Sequence, residues 1–276
     1  MLSKGFWKMS LVLRLCAVIA VIVSCVLFAG KSAHIDAESV QDIEQGQKVM
    51  VLNYHKVDNS FNSLAIPPSD FEAQMQFLEK NGYHTISPDE LYNALTEGGA
   101  LPQNPVLITF DDGYVDNYTN AFPILKKYNM KATIFVVPGF TNVNKNYLTW
   151  DQMLEMEQNG ITIESHTMNH KPLEGLSDDQ IIAELKDSKQ RLEARLGHPV
   201  EYLAYPTGTY NLHIASIAKE VGYRGAFTVK YGNVDMGSNV YALERVPIFR
   251  TEHTMRDFYE RLQYRPLVEQ FGWTKN

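Results

Sequence analysis

Beyond residue 47, short apolar runs alternate with segments whose apolar side chains recur every three or four positions, the pattern of strands interleaved with amphipathic helices. Strands are predicted at 49–54, 84–86, 106–110, 132–137, 161–165, 202–204, 225–229 and 241–246. Helices are predicted at 69–81, from 88 onward, and at 120–128, 150–159, 178–196, 212–221 and 255–262. Ser87-Pro88-Asp89-Glu90 reads as a capping box with proline at the first helical position, Ser177 with Gln180 repeats the box, and Asn211 is placed to cap the next helix. Strand, helix, strand over this length predicts an α/β fold, an irregular (β/α) barrel of about seven parallel strands, closed or nearly so. No internal repeat or interior linker interrupts it, so 48–276 is read as a single catalytic domain.

The first 47 residues break the pattern. Lys4, Lys8 and Arg14 precede or enter an uncharged run from Leu15 to Gly30, so residues 1–30 read as an export signal or membrane anchor. Three outcomes stay open: an uncleaved anchor, lipidation at Cys25 after Ile22-Val23-Ser24, and cleaved secretion. Residues 31–47 are polar and read as a tether. The expected location is therefore the outer face of the cell membrane or the medium around a bacterial cell.

Composition narrows the chemistry. Both cysteines, Cys16 and Cys25, lie in the leader, which excludes disulfides, thiol nucleophiles and thiolate ligands from the catalytic domain. Residues 1–31 hold four of the 25 Lys and Arg and none of the 32 Asp and Glu, so the chain beyond Lys31 carries 21 basic and 32 acidic residues, a formal charge of −11. Such a surface repels nucleic acid and other polyanions and suits a neutral or cationic polymer.

Two motifs carry candidate chemistry, and each follows a predicted strand. Thr109-Phe110-Asp111-Asp112-Gly113 places adjacent carboxylates at a strand end, where one can hold a cation while its neighbour, pointing elsewhere, handles protons. Ser165-His166-Thr167-Met168-Asn169-His170 offers two histidines four apart, a spacing that presents both imidazoles from one helical turn. Alone, either motif reads as readily as a turn or a solvated face. In alternating β/α folds the C-terminal strand ends gather on one face, and joint placement there favours a metal site.

With Ala204-Tyr205-Pro206-Thr207-Gly208 as the third element, these motifs resemble the polysaccharide deacetylases, the NodB-homology or carbohydrate esterase family 4 domain, over roughly residues 48–262. The resemblance implies Asp111 as catalytic base and Asp112, His166 and His170 as ligands of one divalent ion, zinc by default, with cobalt, nickel or iron compatible with two nitrogens and a carboxylate. It also implies main-chain assistance to the oxyanion at Thr207, beside Tyr205 and Pro206. One carboxylate and two imidazoles leave coordination positions open, as a catalytic site requires.

The chain departs from the commonest family pattern in two places. The C-terminal Leu-x-His motif that supplies a general acid is not evident; instead Leu52-Asn53-Tyr54-His55 ends the first strand, which resembles the poly-N-acetylglucosamine deacetylase branch and implies His55 as the acid. His253 is the second choice. Where many members place an arginine that orients the base, this chain has Ala204, so another group must tune Asp111 or none does. Trp150 and Tyr205 are the first candidates to stack on sugar rings. The expected substrate is an N-acetylated polysaccharide, poly-β-1,6-N-acetylglucosamine first. Peptidoglycan, chitin-type polymers and acetylated xylan are alternatives, and a non-catalytic glycan-binding protein is the rival from another class.

Overall fold

In the computed structural model, which describes residues 48–264, each barrel strand alternates between a face turned outward onto helices and a face turned into the barrel. The expectations for 1–30 and 31–47 fall outside the described residues. The strands are β1 (Met50–Tyr54), β2 (His84–Thr85), β3 (Pro105–Phe110), β4 (Ala132–Val136), β5 (Ile161–Ser165), β6 (Tyr202–Ala204), β7 (Gly225–Tyr231) and β8 (Leu243–Pro247). All their ladders are parallel, and β1 pairs with both β3 and β8, which closes a seven-stranded barrel. β2 stands outside the ring: it pairs with the start of β3, at Pro105 and Val106, while β4 pairs with the end of β3 at Thr109 and Phe110.

The helices are α1 (Pro68–Lys80), α2 (Pro88–Glu97), α3 (Phe122–Lys127), α4 (Trp150–Glu157), α5 (Asp178–Leu196), α6 (Leu212–Val221) and α7 (Thr254–Tyr259). Their starts follow local chemistry. Ser87 and Glu90 exchange the two bonds of a capping box, Ser177 and Gln180 do the same, and Asn211 accepts from the Ile214 N–H. A further box, at Thr149 and Gln152, opens α4. Phe71, Met75 and Leu78 lie on one face of α1 and are fully buried with the outward residues Tyr54 and Phe110. Burial of each such side chain is worth roughly 1.5–3 kcal/mol.

The inward face changes character along the strands. Towards the N-terminal ends of β1, β3 and β8 it is apolar, with Val51, Leu107 and Leu243 in one cluster with Phe135 and Phe227. Two positions further on, the same faces carry Asn53, Thr109 and Arg245, and β3 continues to Asp111. A period of two thus delivers polar groups to the barrel mouth over an apolar floor.

Candidate metal centre and active site

Asp111 follows β3 with its N–H donated to the Tyr54 carbonyl, and its carboxylate is buried. Arg245 donates from Nη1 to Oδ1 at 2.8 Å and from Nη2 to Oδ2 at 2.7 Å, and Asn53 Nδ2 donates to Oδ2 at 3.0 Å. Three of about four lone-pair positions are therefore occupied, and the remaining acceptor capacity lies on Oδ1. Burial alone would raise this carboxyl, but the Arg245 guanidinium outweighs it and holds Asp111 far below the usual carboxylate range.

Asp112 leaves the strand with φ 74°, which turns its side chain away from that of Asp111. Its Oδ1 lies 3.2 Å from His170 Nε2 and 3.5 Å from His166 Nε2. Gly113 also has φ 73°, and a Cβ there would meet Val136 Cγ1 at 2.8 Å, so the turn requires glycine on two counts.

His166 follows β5 and is buried, with Nδ1 2.8 Å from the Ala204 carbonyl. A carbonyl only accepts, so Nδ1 carries the proton and the Nε2 lone pair faces Asp112 and His170. Burial lowers the His166 pKa and keeps the ring neutral. At His170 the hydrogen bond with Asp112 outweighs burial and raises the pKa. The two histidines do not share a helical turn: Thr167 has φ 64° and His170 φ 56°, so the segment is a loop folded back on itself, and the shared-turn expectation is corrected. Their rings still meet, with centroids 4.8 Å apart.

Asp112, His166 and His170 are the one group of this kind among the described residues, with ligand atoms all within 4.8 Å of one another. The donors fit a divalent cation: one carboxylate, one neutral imidazole with its tautomer set, and a second that only has to lose its proton. Backbone strain gathers at the same place. Among the described non-glycine residues with positive φ, the asparagines, Asp112 and His170 are of types that tolerate it, and the β-branched Thr167 and Thr207 are the strained ones, one between the two histidines and one in the turn after β6.

His55 follows β1 and is half-buried, with its carbonyl held by Asn117 Nδ2 and its Nδ1 buried without a hydrogen-bond partner. It lies within electrostatic reach of both Asp111 and Asp112. Pro206 is buried and Thr207 is exposed with φ 59°, in a turn pressed on β7, where a Cβ on Gly208 would overlap Val229.

One aromatic expectation changes. Tyr205 is fully buried, donates its hydroxyl to the Tyr241 carbonyl and stacks on Tyr210, so it has no face for a sugar. Trp150 is partly exposed at the start of α4, packed against the core with the Arg195 guanidinium 5.7 Å from its ring centre. His253 is exposed at the start of α7.

Arg245 and Asn53 were not anticipated. The group that takes the place of an arginine at Ala204 comes from β8 instead. A signal was present: in Leu243-Glu244-Arg245-Val246 the arginine shares the inward face of Leu243, a position for a charge only if it meets a partner.

Comparison with known proteins agrees with this geometry. A family profile described as polysaccharide deacetylase matches residues 98–226. The Bacillus subtilis protein YxkH, provisionally assigned to the polysaccharide deacetylases, is 42% identical over 205 residues, covering 74% of this chain and 73% of its own. A Streptococcus pyogenes deacetylase, PplD, solved in complex with acetate, superposes with a TM-score of 0.74 at 33% identity, covering 79% of this chain and 99% of that one. The poly-β-1,6-N-acetyl-D-glucosamine N-deacetylase of Staphylococcus aureus is 27% identical over 246 residues, covering 78% of this chain and 84% of its own. The chain therefore belongs to the polysaccharide deacetylases, hydrolases of the amide bond that holds an acetyl group on a sugar polymer.

Proposed function

We propose that this protein removes acetyl groups from N-acetylglucosamine units of an extracellular polysaccharide, poly-β-1,6-N-acetylglucosamine in the first place, with one divalent cation held by Asp112, His166 and His170. The observation that supports it is the division of the acidic pair: Arg245 and Asn53 grip Asp111, while Asp112 turns to two imidazoles. The β-1,6 preference draws on the Staphylococcus aureus relative and on His55 at the end of β1.

A divalent cation held by Asp112, His166 and His170 would acidify water and polarise an amide carbonyl. Asp111, ionised before the reaction, would accept a proton from water on the free lone pair of Oδ1 as the resulting hydroxide attacks the acetamide carbon, and Arg245 keeps that lone pair aimed. His55 protonates the departing amine, which is otherwise a poor leaving group. The main chain at Thr207 donates to the oxyanion. Lys4, Lys8 and Arg14 ahead of the uncharged segment support export, with the enzyme anchored at the outer face of the membrane or secreted.

The test is acetate release by the zinc-loaded protein across β-1,6 oligomers, chitin oligomers, peptidoglycan and acetylated xylan. Release from the first, abolished by Asp111→Asn, is the expected result. A loaded protein inert on every acetylated glycan sinks the proposal, and polymer retention without acetate release favours a binding protein.

A further inference from the structure

The loop that carries His170 is held in conformations it would not adopt alone. Thr167 at φ 64° and His170 at φ 56° each cost on the order of 1–3 kcal/mol, so neighbouring groups must impose them. One such group is Glu184, in the first half of α5 and only 5% exposed, unusual burial for a glutamate. Its Oε2 accepts from the Asn169 N–H at 2.8 Å, its Oε1 accepts from Asn169 Nδ2 at 2.9 Å, and its main-chain carbonyl accepts from the Met168 N–H at 3.0 Å. Lys171 Nζ lies 3.5 Å from Oε1.

The opposite side of the same peptide is closed by Gly139, in the segment after β4. Its N–H donates to the Met168 carbonyl at 2.9 Å, and a Cβ there would lie 2.5 Å from that oxygen and 2.9 Å from Asn169 Oδ1. Residues 168 and 169, between the two histidines, are thus gripped from a helix and from a loop.

We propose that Glu184 is a positioning residue of the metal centre, fixing the 167–170 loop so that His170 Nε2 is presented beside His166 and Asp112. The inference rests on the reading that these three residues hold a divalent cation. Glu184 touches neither the cation nor the substrate. It acts by removing the reorganisation that a free loop would undergo on metal binding, so its loss weakens metal affinity before it affects chemistry.

The experiment measures Zn²⁺ dissociation constants of the full-length protein by competition with a chelating fluorophore, with folding checked by circular dichroism. Glu184→Ala is expected to weaken zinc binding by roughly 10- to 100-fold. Its acetate release at limiting zinc falls and returns as zinc is raised, a shift in half-saturation that a mere loss of folded protein does not produce. Glu184→Gln restores most of the affinity, because Asn169 can turn its amide to complement the new one. If Glu184→Ala does not fold, Asn169→Ala and Gly139→Ala loosen or displace the same peptide from the other partners, each with zinc binding weakened by roughly 10-fold. A folded Glu184→Ala within about twofold of the unaltered protein overturns the proposal, as does that result for both substitute variants. Failure of the unaltered protein to bind zinc stoichiometrically overturns instead the metal-centre reading beneath it.

Discussion

Arg245 on β8 and Asp111 at the end of β3 form a buried two-bond ion pair, with N to O distances of 2.8 and 2.7 Å, across 134 residues of sequence. Arg245→Lys keeps the charge but loses the fork that aims the carboxylate. We expect kcat/KM for acetate release to fall about 100-fold with zinc affinity retained. Arg245→Leu leaves a buried carboxylate unpaired, and urea denaturation should show a loss of about 3–5 kcal/mol. Asp111 is held below its ordinary 3.8, so its contribution is fully present above that pH and is lost only as pH falls towards the depressed value.

His55→Ala removes the proposed proton donor without touching the ligand set. The expected loss is about 100- to 1000-fold in kcat, measured as initial rates of acetate release with zinc saturating. Full activity in this variant would falsify the assignment of His55 and remove much of the case for a β-1,6 substrate.

His170 sets the pH dependence of metal binding. Its pKa in the metal-free protein is raised above 6.5 by Asp112, and a proton there competes with the cation. Zinc affinity should therefore fall as pH drops through the raised value, with His166, already neutral, adding little. Stability of the metal-free protein runs the other way: the protonated His170 pairing is fully present below pH 6.5 and is lost as pH rises through the raised pKa. Calorimetric zinc titrations and metal-free melting curves from pH 5.5 to 8.5, a span chosen around the ordinary histidine value of about 6.5, test both signs.

Gly113→Ala strains the turn that separates the two carboxylates, because φ is 73° and the new Cβ would meet Val136 Cγ1 at 2.8 Å. A destabilisation of about 1–3 kcal/mol is expected, together with loss of zinc binding, since Asp112 must move with the turn. Thermal melting with and without zinc separates the two effects.

Much of this was legible in the chain because it is local. Capping at Ser87, Ser177 and Asn211, the strand positions and the fall of the acidic and histidine motifs at strand ends all follow from short-range rules. The burial of Tyr205 was less accessible, since a tyrosine after a strand reads equally as rim or core until its hydroxyl partner, the Tyr241 carbonyl, is known. The path between His166 and His170 is hidden for a similar reason: a spacing of four suits a helical turn, but the loop is held by Glu184 and Gly139 from other elements.

By itself, the sequence determined the alternating fold and the fall of the Asp111-Asp112 and His166/His170 motifs at strand ends. Periodicity and motif spacing are properties of neighbouring residues, so they survive in one dimension. Only the tertiary structure decided that Arg245 and Asn53 grip Asp111, because closing β1 between β3 and β8 brings together inward faces that no local rule connects.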